Sequence, residues 1–76
     1  MKSTDTLFRP MRIRFADQAG KQVIWTVWRD ALRPASWMVR DHTGYVRVLE
    51  SVWATSVKRL KLIAENHALT PLQDLS

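Results

Sequence analysis

No cysteine occurs among the 76 residues of this chain, so neither a disulfide framework nor a thiolate metal site can brace its core. Packing must hold it together, at a size where roughly 60% of the unfolded surface is buried on folding. Glycine is scarce, with two residues, and proline has three. Both glycines fall in short polar runs, Asp17-Gln18-Ala19-Gly20-Lys21 and Asp41-His42-Thr43-Gly44, where turns are expected. Pro10, Pro34 and Pro71 mark a tail boundary, a loop and a new start. No hydrophobic run approaches the length of a membrane span. The opening MKSTDTLFRP has no apolar stretch of signal-peptide length, so no membrane partner is expected and the cytoplasm is the expected setting.

Chemical motifs are equally sparse. There is no Gly-rich phosphate loop, no HExxH and no CxxC. His42 and His67 stand far apart in sequence, whereas a metal site needs about three or four convergent ligands. Neither a metal nor a cofactor is expected, and no catalytic residue is assigned.

Positive charge is what the chain does have. Twelve Lys and Arg face seven Asp and Glu, a net charge of +5. From Arg9 to Lys61 there are eleven basic residues against four acidic ones, a local excess of +7. Eight of the twelve cations are arginine, whose planar fork suits phosphates and base edges and stacks on aromatic rings. The hydrophobic fraction of 46% and the absence of low-complexity runs indicate a folded domain rather than a disordered polycation.

The hydrophobic pattern divides the chain into strands and then a helix. MRIRF, residues 11–15, alternates strictly, and residues 21–29 follow a turn at Gly20, giving an antiparallel hairpin. SWMVRD and YVRVLE around Gly44 give a second. From Ser51, a plausible N-cap, the period becomes helical as far as about Ala68. On a helical wheel Trp53, Val57, Leu60, Ile63 and Ala64 share one arc, Lys58, Arg59 and Lys61 lie opposite, and Leu62 falls on the polar side. Thr70-Pro71-Leu72-Gln73 reads as a capping box opening a short helical turn. The expected fold is α+β: a small four-stranded antiparallel sheet of two hairpins, then one C-terminal amphipathic helix packed on one face. A tail over residues 1–10, a single domain over 11–69 and a C-terminal tail or turn over 70–76 complete the organisation.

Two tryptophans three apart in VIWTVWRD cannot share a face of a strand. The inward set expected from the first strand is Met11, Ile13 and Phe15, joined by Val23, Trp25 and Val27, then Trp37 and Val39, then Val46 and Val48. The complementary face then holds Arg12, Arg14, Ile24, Thr26, Trp28, Met38, Arg40, Tyr45, Arg47 and Leu49. One helix covers one face of a sheet, so this second set meets solvent or a partner. A solvated arginine face with Trp28 tucked beneath a neighbouring loop is the plainer alternative.

A binding module, not an enzyme, is the expected class. Arg12, Arg14, Trp28, Arg40, Tyr45 and Arg47 would contact phosphates and bases of DNA or RNA, with Lys58, Arg59 and Lys61 as a secondary basic surface on the helix. In outline the arrangement resembles DNA-binding domains built from a three-stranded sheet and a helix, such as the arm-site domains of phage integrases, whose sheets enter the major groove. None of their motifs is present. The alternative occupant of the same face is a protein: a second copy forming a homodimer, or an acidic surface of a larger partner. A small ribonuclease using Arg40, His42, Tyr45 and Arg47 is a remote third reading.

Overall fold

The computed structural model describes residues 10–29, 32, 36–49 and 52–73. The expected tail residues 1–9, most of the loop at residues 31–35 and the expected cap Ser51 lie outside the described residues. Four strands follow in order: β1 (Met11–Ala16), β2 (Gln22–Arg29), β3 (Trp37–Arg40) and β4 (Val46–Leu49). The helix α1 (Trp53–Asn66) and a two-residue strand β5 (Thr70–Pro71) complete the α+β fold. The strands form one antiparallel sheet in the order β4-β3-β2-β1-β5, two hairpins with the helix after them.

Each hairpin is closed by the same device. In the first, Asp17 N–H donates to the Lys21 carbonyl at 2.9 Å and Gly20 N–H to the Asp17 carbonyl at 2.9 Å. In the second, Asp41 N–H donates to the Tyr45 carbonyl at 3.0 Å and Gly44 N–H to the Asp41 carbonyl at 3.1 Å. The glycines have φ +83° and +91°, the left-handed conformation that ends a three-residue hairpin loop and that a Cβ disfavours. Each Asp also accepts backbone N–H groups through Oδ1, from Ala19 and Lys21 in the first turn and from Thr43 and Tyr45 in the second.

Those loops fix the register. With three residues between the closing pair, odd-numbered residues pair with odd-numbered ones, as in Ile13 with Trp25 and Val39 with Arg47. A buried Val39 therefore commits Arg47 to its own side of the sheet. This corrects the face expected for β4. Leu49 is buried in the core, together with the helix-facing set Ile13, Phe15, Trp25, Val27 and Val39, and Tyr45 and Arg47 lie on that same side. Val46 and Val48 point to the open face, 39% and 38% exposed. Valine content had placed them inward, but turn parity overrides it, because one residue of slip exchanges the two faces of a strand.

The helix supplies the lid. Ser56, Val57, Leu60 and Ala64 are buried, Trp53 and Ile63 pack partly buried at the margin, and the rings of Trp53 and Trp37 lie 4.5 Å apart. Lys58, Arg59, Lys61 and Leu62 are exposed, as the wheel requires. The N-cap position is Val52, which makes no side-chain cap bond.

Residues 67–72 are tied back to the fold by hydrogen bonds that the sequence pattern did not suggest. His67 caps α1, and Ala68 adopts φ +57°. Ala68 N–H then donates to the Glu65 carbonyl at 3.0 Å and Leu69 N–H to the Ala64 carbonyl at 2.8 Å. This is a Schellman closure with alanine where glycine is preferred, and Leu69 and Ala64 are both buried, its usual hydrophobic contact. Leu69 is thus anchored in the core. Thr70–Pro71 does not start a helical turn: it pairs with β1, with Phe15 opposite Pro71, and Leu72 N–H donates to the Arg14 carbonyl at 3.0 Å. Proline fits there because an edge strand can dispense with one N–H.

Candidate functional site

Strand alternation and the observed pairing place Arg12, Arg14, Ile24, Thr26, Trp28, Met38, Arg40, Val46 and Val48 on the face opposite the helix. Trp25 is fully buried on the helix side, and Trp28 stands on the other, half-buried. Cross-strand neighbours form rows across the sheet. One row runs Arg12, Thr26, Arg40, Val46, and the next runs Trp28, Met38, Val48. Arg14 sits beside Ile24, which is 43% exposed. The face thus has a basic sector over β1 to β3 and an apolar sector over β2 to β4.

The two sectors meet at one contact. The Arg40 guanidinium carbon lies 5.9 Å from the centroid of the Trp28 ring, at the outer limit of a cation–π interaction. No Asp or Glu occupies an open-face position of the described strands, so the three arginine charges there are not neutralised from within the face. Arginine stays protonated at every physiological pH.

The remaining residues of the expected site are elsewhere. Tyr45 and Arg47 occupy the helix-bearing side, where the Arg47 guanidinium carbon sits 4.9 Å from the Tyr45 ring and Arg47 Nε is buried without a hydrogen-bond partner. Lys58, Arg59 and Lys61 face solvent from the helix, which covers the opposite side of the sheet, so they cannot join the open face in contacting one small ligand. The structure therefore brings together Arg12, Arg14, Trp28 and Arg40, and adds Met38, Val46 and Val48 to them.

One grouping went unnoticed in the sequence. His42 and His67 come together with their ring centroids 5.2 Å apart, edge to face, and both lie 6.3 Å from Trp25. Trp25 Nε1–H donates to His42 Nδ1 at 3.1 Å. The shared placement of His42 beside the Asp–Gly turn and His67 at the helix end gave no sequence signal, because only the fold brings the two together. Among the described residues no group of three or more His, Cys, Asp or Glu is arranged to hold a metal.

Asp41, next to His42, is buried. Burial by itself raises its carboxyl pKa, but Thr43 Oγ1–H at 2.6 Å, the N–H groups of Thr43 and Tyr45, and the nearby His42 outweigh that and hold it below its ordinary value. The carboxylate is thus a structural acceptor committed to its turn. The residues weighed for RNA cleavage are divided accordingly: Arg40 on the open face, Tyr45 and Arg47 behind it, and His42 with Nδ1 engaged.

No described helix is long and apolar enough to cross a membrane. Comparison with protein-family models, curated proteins and solved structures finds no match.

Proposed function

We propose that this chain is a non-enzymatic binding module that takes nucleic acid on the open face of its sheet. The observation that carries the reading is the convergence of Arg12, Arg14 and Arg40 on one face that holds no carboxylate among the described strands, with Arg40 resting against Trp28. Uncompensated guanidinium groups favour a polyanion, and an aromatic ring beside them favours one with stackable bases. Arg40 lies on the open face and Tyr45 and Arg47 on the helix-bearing side, so the four residues weighed for RNA cleavage do not all meet at one position.

Salt dependence tests the class. Three phosphates neutralised give a log–log slope of about −2 on a single strand and about −2.7 on duplex DNA, so affinity falls about 15- to 40-fold between roughly 50 and 200 mM salt. Anisotropy titrations with labelled oligonucleotides measure this. An affinity that ignores salt, or that survives simultaneous Arg12→Ala, Arg14→Ala and Arg40→Ala, refutes the assignment.

The alternative occupant is a protein, and one specific observation favours it. Val46 and Val48, with Met38 and Ile24, make the face more apolar than an exchange of only phosphate contacts requires. β4 is also an edge of the sheet, and a second copy could extend it. Light scattering across a concentration series distinguishes a dimer from a monomer.

A further inference from the structure

We infer that the open face is built for single-stranded rather than duplex nucleic acid, with Trp28 as the base-stacking residue. This rests on the nucleic-acid reading above and narrows it to a substrate class.

Width is the first argument. The row Arg12–Thr26–Arg40–Val46 crosses four strands, which at about 4.8 Å spacing sets its outer backbones about 14 Å apart, whereas the major groove of B-DNA is about 12 Å wide and admits a helix or a two-stranded ribbon. A narrower sheet can enter that groove; this one presents its face from outside. Against a duplex cylinder a broad face meets phosphates alone, since the bases are paired and stacked within.

Arrangement is the second argument. A face that met only phosphates would gain nothing from an apolar row, yet Trp28, Met38 and Val48 form one across three strands. The adjoining row carries Arg12 and Arg40, two residues along each strand and therefore about 7 Å away. Parallel apolar and basic rows match the two sides of a single strand laid across the sheet. Its unpaired bases rest on Trp28 and the apolar row while its phosphates follow the arginines. The Arg40 guanidinium, 5.9 Å from the Trp28 ring centroid, is the point where the two rows meet.

The test uses the full chain with three probes of one mixed sequence: single-stranded DNA, the corresponding RNA, and the DNA duplex, each titrated at about 50 mM salt, where phosphate contacts are strong. Tighter binding of either single strand than of the duplex, by tenfold or more, is expected. Trp28→Ala should weaken single-strand binding about 5- to 150-fold, the range of one lost stacking contact, while leaving the salt slope unchanged because no charge is removed. Trp28→Phe keeps a stacking ring and should restore most of the affinity, which separates lost stacking from lost folding. Arg40→Gln should instead make the single-strand slope shallower by about 0.7. Duplex binding equal to or tighter than single-strand binding overturns the inference while leaving a nucleic-acid binder. So does a Trp28→Phe protein as weak as Trp28→Ala. Failure of all three probes to bind at low salt sinks the nucleic-acid reading itself.

Discussion

Removing the carboxylate of Asp41 tests the element that decides which side chains β4 shows to solvent. Its Oδ1 accepts three hydrogen bonds, from Thr43 N–H at 2.9 Å, Thr43 Oγ1–H at 2.6 Å and Tyr45 N–H at 3.1 Å. A hydrogen bond to a charged acceptor contributes about 1.5–3 kcal/mol, but these three share one oxygen and the exposed turn amides can rehydrate. We therefore expect Asp41→Ala to cost about 2–3 kcal/mol, a melting shift of about 10–20 °C for a domain of this size. The molecule contains its own control. Asp17 makes the equivalent bonds to Ala19 and Lys21 N–H at 3.0 and 2.8 Å, without a hydroxyl donor and in an exposed turn. Asp17→Ala should cost about 0.5–1 kcal/mol, toward the lower part of the range for capping side chains. Calorimetry at neutral pH compares the two.

The acid limb supplies a second check on the same residue. A carboxyl group held below its ordinary value contributes stability above the unfolded-state pKa, about 3.9 for Asp, and loses it as pH falls through the depressed folded value. The gap in stability between wild type and Asp41→Asn should thus be full at neutral pH and shrink below about pH 4. Equal costs for Asp17→Ala and Asp41→Ala, or a gap that does not change with acid, would refute the account of this turn.

Ala68→Gly should stabilise the protein by about 0.5–1 kcal/mol, since alanine at φ +57° pays a left-handed penalty that glycine escapes, less the larger unfolded-state entropy of glycine. A rise of a few degrees in melting temperature checks it, and a fall shows that the helix does not end in this closure. Trp53→Ala should cost about 3 kcal/mol, the low end for a tryptophan truncation, because the ring packs on Trp37 but is only half-buried. Chemical denaturation with an unchanged m-value measures it, and a loss under about 1 kcal/mol would mean that the Trp37–Trp53 contact does not hold the helix.

The sequence by itself determined the α+β order, because the period of two in MRIRF and the helical period after Ser51 are local properties of the chain. It also separated Trp25 from Trp28, since neighbours three apart on a strand must face opposite ways. The β4 register was legible too, in the shared Asp-x-x-Gly of the two turns, but valine content was the louder signal and pointed the wrong way. Two features had no local signature. His42 and His67 meet only because the helix end returns over the second hairpin turn. Thr70–Pro71 becomes a strand only because β1 offers a free edge there. Hydrophobic periodicity reports which way a residue faces within its own element. Which elements lie beside one another, and so which side chains share a surface, depends on hydrogen-bond partners distant in sequence, and only tertiary structure decides that.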